Sequence, residues 1–198
     1  MIKFLALLAR FREEEDGVVA IELLLVVPML VWALLSTFVY FDAYRAESVN
    51  TRAGLTLADM ISRERVPVDS GYIDSMREVL RVLTRFDPNA AIRVSVFKYR
   101  ASDDSYRLVW SEQRGMLKTL DDADLKNMRT ALPLMADGKK SILVETSAKY
   151  TAPFSIGFGP FLQTNLDDVD FRSFTVISPR FLSTICFDDT ALIDAICG

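Results

Sequence analysis

Residues 18–41 read VVAIELLLVVPMLVWALLSTFVYF, and this stretch decides the fold. It holds a single charge, Glu22, followed by 19 uncharged residues from Leu23 to Phe41. As a helix, Leu23–Phe41 would run about 28 Å at ~1.5 Å per residue, close to the ~30 Å hydrocarbon core of a bilayer. A helix in a soluble core rarely stays apolar on every face for so long. A cleaved secretory signal would have an apolar region of roughly 7–15 residues and end at a small-x-small site. The residues after the run, Phe41-Asp42-Ala43-Tyr44-Arg45, offer no such pair. A retained transmembrane helix over 18–41 is therefore predicted, with Pro28 expected to kink it or to loosen one of its hydrogen bonds.

Working outward, the helical pattern continues. Residues 42–65 contain no proline, and Ala46, Val49, Ala53, Leu57 and Met60 recur at a spacing of three to four. Arg45, Glu47, Asn50, Arg52, Asp59 and Arg63 fill the other faces, with Gly54 the weak point of the helix. Val66-Pro67 ends it. Residues 66–198 read as an α+β head. Ser70 opens an amphipathic helix with Ile73, Met76, Leu80 and Leu83 on one face. Segments 91–100 and 106–112 form a hairpin, and 141–150 and 171–177 alternate like strands. Thr119 and Asp122 have the spacing of a capping box before a further helix. The fold expected is α+β, a long N-terminal helix carrying a small head with an antiparallel sheet and two further helices.

Charge and cysteines bear on orientation. Lys3, Arg10 and Arg12 precede the run, and Arg45 and Arg52 follow it, a modest excess on the N-terminal side. The two cysteines, Cys186 and Cys197, sit near the C-terminus, and such a pair persists as a disulfide only in an oxidising compartment. Two buried thiols in a cytoplasmic domain are the alternative. The first reading makes the chain single-pass in the cytoplasmic (inner) membrane, with a cytoplasmic N-terminus and an exported head, periplasmic or extracellular.

Composition narrows the chemistry. Across 198 residues, 23 basic side chains face 27 acidic ones, so no basic surplus points to nucleic acid. The chain has no histidine, which removes His-dependent triads, H-E-x-x-H sites and imidazole bases. Two cysteines do not make a zinc site by themselves. No local Ser/Lys or paired-carboxylate motif stands out, so neither an enzyme nor a cofactor is expected. Arg77, Arg81 and Arg85 form a column on the Ser70 helix, read either as a solvated face balanced by Asp74 and Glu78 or as a docking surface. Phe154, Phe158 and Phe161 lie in a Gly/Pro-rich loop expected to plug the sheet from below.

The N-terminal border is the most informative part. A charged leader, residues 1–17, ends in Asp16-Gly17, and a lone glutamate, Glu22, stands at the fifth position after Gly17. Gly17 has no side chain, so the backbone there is open to close approach. Glu22 costs a few kcal/mol in lipid unless paired or neutralised. Snorkelling of Glu22 to the interface is the alternative.

This arrangement resembles the processing site of type IV prepilins. Arg10, Phe11, Gly17, Ala20, Glu22 and Pro28 further resemble the N-terminal pattern of TadE-like pseudopilins of tight-adherence (Tad/Flp) pilus systems, and Ser178-Pro179-Arg180-Phe181 with Cys186 downstream is similar to the C-terminal pattern of that group. The acidic run Glu13–Asp16 departs from the family's more basic leaders. The resemblance implies cleavage between Gly17 and Val18 by a prepilin peptidase. It also implies Glu22 as an assembly contact, and other pilins, pseudopilins and Tad assembly proteins as partners. A single-pass envelope binding or sensing module, unprocessed, is the competing expectation.

Overall fold

The computed structural model describes residues 18–85, 87–115, 118–156, 168–188 and 197. Its spine is α1 (Val18–Ser62), one helix of 45 residues, about 68 Å long at ~1.5 Å per residue. It stays helical through Pro28, whose missing N–H leaves the Leu24 carbonyl without its usual donor. At the other end the chain turns into Val66-Pro67. There the Arg180 backbone N–H donates to the Ser62 carbonyl at 2.8 Å, satisfying one of the carbonyls that a helix end leaves open.

The head is built on α2 (Ser70–Leu83), β1 (Ala91–Arg100), β2 (Ser105–Arg114), α3 (Asp122–Asn127), β3 (Lys140–Thr151) and β4 (Asp168–Ile177). Asp69 caps α2 by accepting the Tyr72 N–H at 2.7 Å, and Ile73, Met76 and Leu80 are buried. Leu83, expected on the same face, is partly exposed. The capping box of α3 is Asp121 with Asp124, not Thr119 with Asp122. Asp122 is instead spent on the neighbouring strand, where its carboxylate accepts the Leu108 N–H at 2.7 Å.

The four strands pair antiparallel throughout, in the order β2-β1-β3-β4. A bulge between Val96 and Phe97 interrupts the pairing of β1 with β2. Alternation sends Ile92, Val94, Val96, Ile142 and Val144 to one face, where α1 and α2 cover them with Leu57, Ile61, Ile73, Met76 and Leu80. The opposite face has a second core of Phe97, Tyr106, Leu120, Leu125, Leu132 and Leu143, closed by α3 and the turn after it. Central strand β1 is therefore buried on both sides. The architecture is α+β, as the sequence predicts.

The C-terminal segment is sewn into this framework. Val68 and Phe187 form a parallel bridge, the Val68 N–H donates to Cys186 at 2.9 Å, and the Trp110 indole donates to the Ile185 carbonyl at 2.8 Å. Cys186 and Cys197 form a disulfide, with Cα atoms 4.5 Å apart.

Candidate functional site

Two stretches of α1 have opposite surroundings. From Ile21 to Val31 every residue is exposed, including Leu24, Leu25 and Met29 at about 70% each. By length and composition the helix as a whole is long and apolar enough to cross a membrane. Glu22 is exposed at its start, and no ion pair to it exists among the described residues. Pro28 sits within the bare part. Val18 opens the helix, whereas Gly17 and the rest of the expected leader lie outside the described residues.

From Trp32 onward one stripe of the helix is covered. The Trp32 indole donates to the Ile156 carbonyl at 3.0 Å, and Phe38 stacks on Phe154 with ring centroids 6.0 Å apart. Val39, Ala43 and Ala46 are buried in succession. Tyr150, at the end of β3, donates its hydroxyl to Asp42 at 2.8 Å. Burial and this hydrogen bond to a carboxylate push the Tyr150 phenol up to about 12, because both favour its neutral form. The head therefore reaches the helix ten residues before Asp42, the point where the sequence predicts the membrane segment to end.

Further along, Asn50 is buried and fully engaged. Its amide donates to the Phe171 carbonyl at 3.1 Å and accepts from the Thr146 hydroxyl at 3.0 Å, joining α1 to β4 and β3. The sequence places Asn50 on a polar face, and the structure corrects that. Met60, expected in the apolar stripe, is partly exposed, and Ile61 takes its place. Gly54 also has a positive role, since a Cβ there would stand 2.6 Å from the Ser173 hydroxyl oxygen on β4. Beyond it, Asp59 binds both Arg63 and Arg180, and Arg65 lies 4.2 Å over the Phe181 ring. The Ser178–Phe181 motif thus clasps the end of α1.

Other sequence candidates separate. Phe154 lies against α1 and not under the sheet, while Phe158 and Phe161 fall outside the described residues. The arginine column is not one surface. Arg77 donates to the Ala90 carbonyl at 3.2 Å, Arg81 pairs with Glu78 at 2.8 Å, and Asp74 pairs with Arg114 instead of the column. Arg85 is exposed at a 260 Å³ cavity that it shares with Asp42, Arg45 and Tyr150. A cavity of 430 Å³ beside α3 is lined by Asp103, Asp104, Arg107, Asp122 and Arg129, charges already paired with one another. Among the described residues no cluster of His, Cys, Asp or Glu could hold a metal ion.

Comparisons of the chain with protein-family models, with curated proteins and with solved structures find no match. Functional meaning rests on the geometry, whose most distinctive feature is a helix bare at one end and clasped by a head at the other.

Proposed function

We propose that the chain is a membrane-anchored pseudopilin or minor pilin that takes part in assembling a Tad/Flp type IV pilus. The observation that carries this reading is the division of α1. Its first part presents apolar side chains on every face, with one carboxylate, Glu22, at its start. Its second part is fixed rigidly to an α+β head. A helix of that kind packs laterally against lipid or against like helices, and the head is carried outside. The disulfide supports an exported head, because it persists in an oxidising compartment. In this reading the cytoplasmic membrane is spanned once, with the N-terminus on the cytoplasmic side. A prepilin peptidase cuts after Gly17, and Val18 becomes the mature N-terminus. Glu22 then meets the free amine of a neighbouring subunit, which offsets the cost of a carboxylate in lipid. The protein is the peptidase's substrate and works by contact.

The test is N-terminal mass analysis of the membrane-fraction protein from pilus-competent cells, with and without the peptidase. The expected mature chain begins at Val18 when the peptidase is present and retains the leader when it is absent. A full-length N-terminus in both strains overturns the reading and favours an unprocessed envelope binding or sensing module.

A further inference from the structure

The contact between Trp32 and the segment after β3 bears on where the membrane lies. We infer that Ala152–Ile156 is a lipid-dipping loop seated in the interface of the head-side leaflet, and that it sets the hydrocarbon boundary on α1 at Ser36–Phe38. This rests on the reading of α1 as membrane-spanning.

Three observations converge. The first is charge. Asp42 on α1, Lys149 on β3 and Asp168 on β4 mark one level, because Tyr150 bonds Asp42, Thr151 bonds Asp168, and Lys149 pairs with Asp168 at 3.3 Å. Past that level, α1 carries no charge back to Glu22, and the described start of the β3–β4 connection, Ala152–Ile156, carries none.

The second is polar satisfaction. The loop's contact with the apolar part of α1 is paired: the Ile156 carbonyl is met by the Trp32 indole at 3.0 Å, Ile156 itself is buried, and Pro153 has no N–H to satisfy. On the helix at the same depth, the exposed Thr37 hydroxyl donates back to the Ala33 carbonyl at 2.8 Å.

The third is the aromatic border, with which length is compatible. With the boundary at Ser36, the 19 residues Val18–Ser36 span the core, about 28 Å at ~1.5 Å per residue. Asp42 then stands about 9 Å beyond, among the headgroups, and Trp32 about 6 Å inside, within the ~5–10 Å that interfacial elements penetrate. Exposed Phe38, Tyr40, Phe41 and Tyr44 fall in the headgroup layer, where aromatic side chains form a belt. The same shift draws Glu22 about one helical turn inside the opposite boundary, which raises the cost of leaving its carboxylate unpaired.

The test uses the full chain, disulfide intact, in phosphatidylcholine vesicles. Single cysteines at Ser155→Cys, Leu30→Cys and Ser102→Cys carry an environment-sensitive fluorophore. Quenchers are aqueous iodide and lipids bearing a nitroxide either near the headgroup end of the acyl chain or near its methyl end. The Ser155 probe is expected to lose most of its emission to the headgroup-end nitroxide and little to iodide. The Leu30 probe should respond to the methyl-end nitroxide, and the Ser102 probe on the β1–β2 turn to iodide alone. Iodide quenching at Ser155 as complete as at Ser102, with Leu30 still in lipid, overturns the loop assignment alone. Shielding of Ser155 from all quenchers also overturns it, because protein (a second copy, for instance) would then cover the loop. Iodide quenching at Leu30 overturns the membrane reading itself.

Discussion

The bare and clasped stretches belong to one continuous helix and behave oppositely. Between Ile21 and Val31 large side chains, Leu, Val, Ile and Met, project in all directions and stay exposed among the described residues. Between Ala43 and Ile61 the side turned to the head is mostly small, with Ala43, Ala46, Ala53, Gly54 and Ala58 around Asn50 and Leu57. Small residues let the sheet come close enough for strand hydrogen-bonding groups to reach Asn50. The difference teaches that apolarity makes a helix seek cover, and that side-chain size decides whether its own head can supply it.

The sharpest way to break that comparison is to truncate one leucine in each stretch. Leu57 is fully buried between α1 and the sheet, so Leu57→Ala should destabilise the head by roughly 2–5 kcal/mol, the cost of lost burial plus a cavity. Leu25 is exposed, and Leu25→Ala should leave head stability unchanged. Urea unfolding in detergent, followed through the near-UV signal of the buried Trp110, reads both. Equal effects would mean that the two stretches share one cooperative unit.

Reduction of the disulfide separates them in another way. Opening the loop between Cys186 and Cys197 frees the unfolded chain and should cost the head about 3 kcal/mol. Lys140 Nζ, which donates to the Cys197 carbonyl at 2.6 Å, would lose that partner as well. Among the described residues the bare stretch of α1 makes no contact with this region, so far-UV helicity from it should survive reduction. Loss of all helicity in one transition would contradict the division.

What the sequence made legible follows the same line. The membrane-length helix, its continuation to Ser62, α2 and all four strands were readable because each rests on a local period of apolar residues. The clasp was not. Asn50 looks like a surface residue until Thr146 and Phe171 are brought beside it from about a hundred positions away. Gly54 looks like a flaw until β4 crosses it. Arg180 belongs to a recognisable motif, yet its capping of α1 depends on the return of the chain to Ser62. The Trp32–Ile156 contact had the same obstacle, with 124 residues between donor and acceptor. Periodicity reports which face of an element is buried; it does not say against what. The Asp121–Asp124 capping box was missed for a smaller reason, since Thr119 offers an equally good local pattern two residues earlier.

Alkaline titration probes the border between the stretches more gently. In the folded chain the Tyr150 phenol is raised to about 12, above its unfolded value near 10. Stability from this group is therefore complete below about pH 10 and is lost as pH rises toward 12, the direction expected when the native state holds the proton more tightly. Tyr150→Phe should remove about 1 kcal/mol at pH 8, the net worth of the hydrogen bond to Asp42. It should also flatten part of the alkaline decline. Tyr72, whose phenol is raised mainly by burial, and Tyr99, raised mainly by its hydrogen bond to Asp104, would contribute to what slope remains. An unchanged slope in Tyr150→Phe would show that the junction at Asp42 does not contribute to head stability.

The smallest expected effect is also the most discriminating, because two terms oppose. At an exposed helix position, replacing glycine by alanine gains about 0.8–1 kcal/mol of helix propensity. At Gly54 the new Cβ would meet the Ser173 hydroxyl oxygen at 2.6 Å and the Ser173 Cβ at 3.2 Å. The hydroxyl can rotate away, but the Cβ is fixed to β4, so the strand and helix must separate by a few tenths of an ångström. Gly54→Ala should therefore come out near neutral or slightly destabilising, the propensity gain being offset by overpacking. In a Ser173→Ala background the nearer clash disappears, and the same substitution should recover part of the gain. A double-mutant cycle would then give a coupling of about 0.5–1 kcal/mol, as expected for residues in direct contact. If Gly54→Ala instead stabilises the unaltered chain by the full propensity term, α1 does not lie this close to β4. The small-residue account of the clasped stretch would then fail at its tightest point.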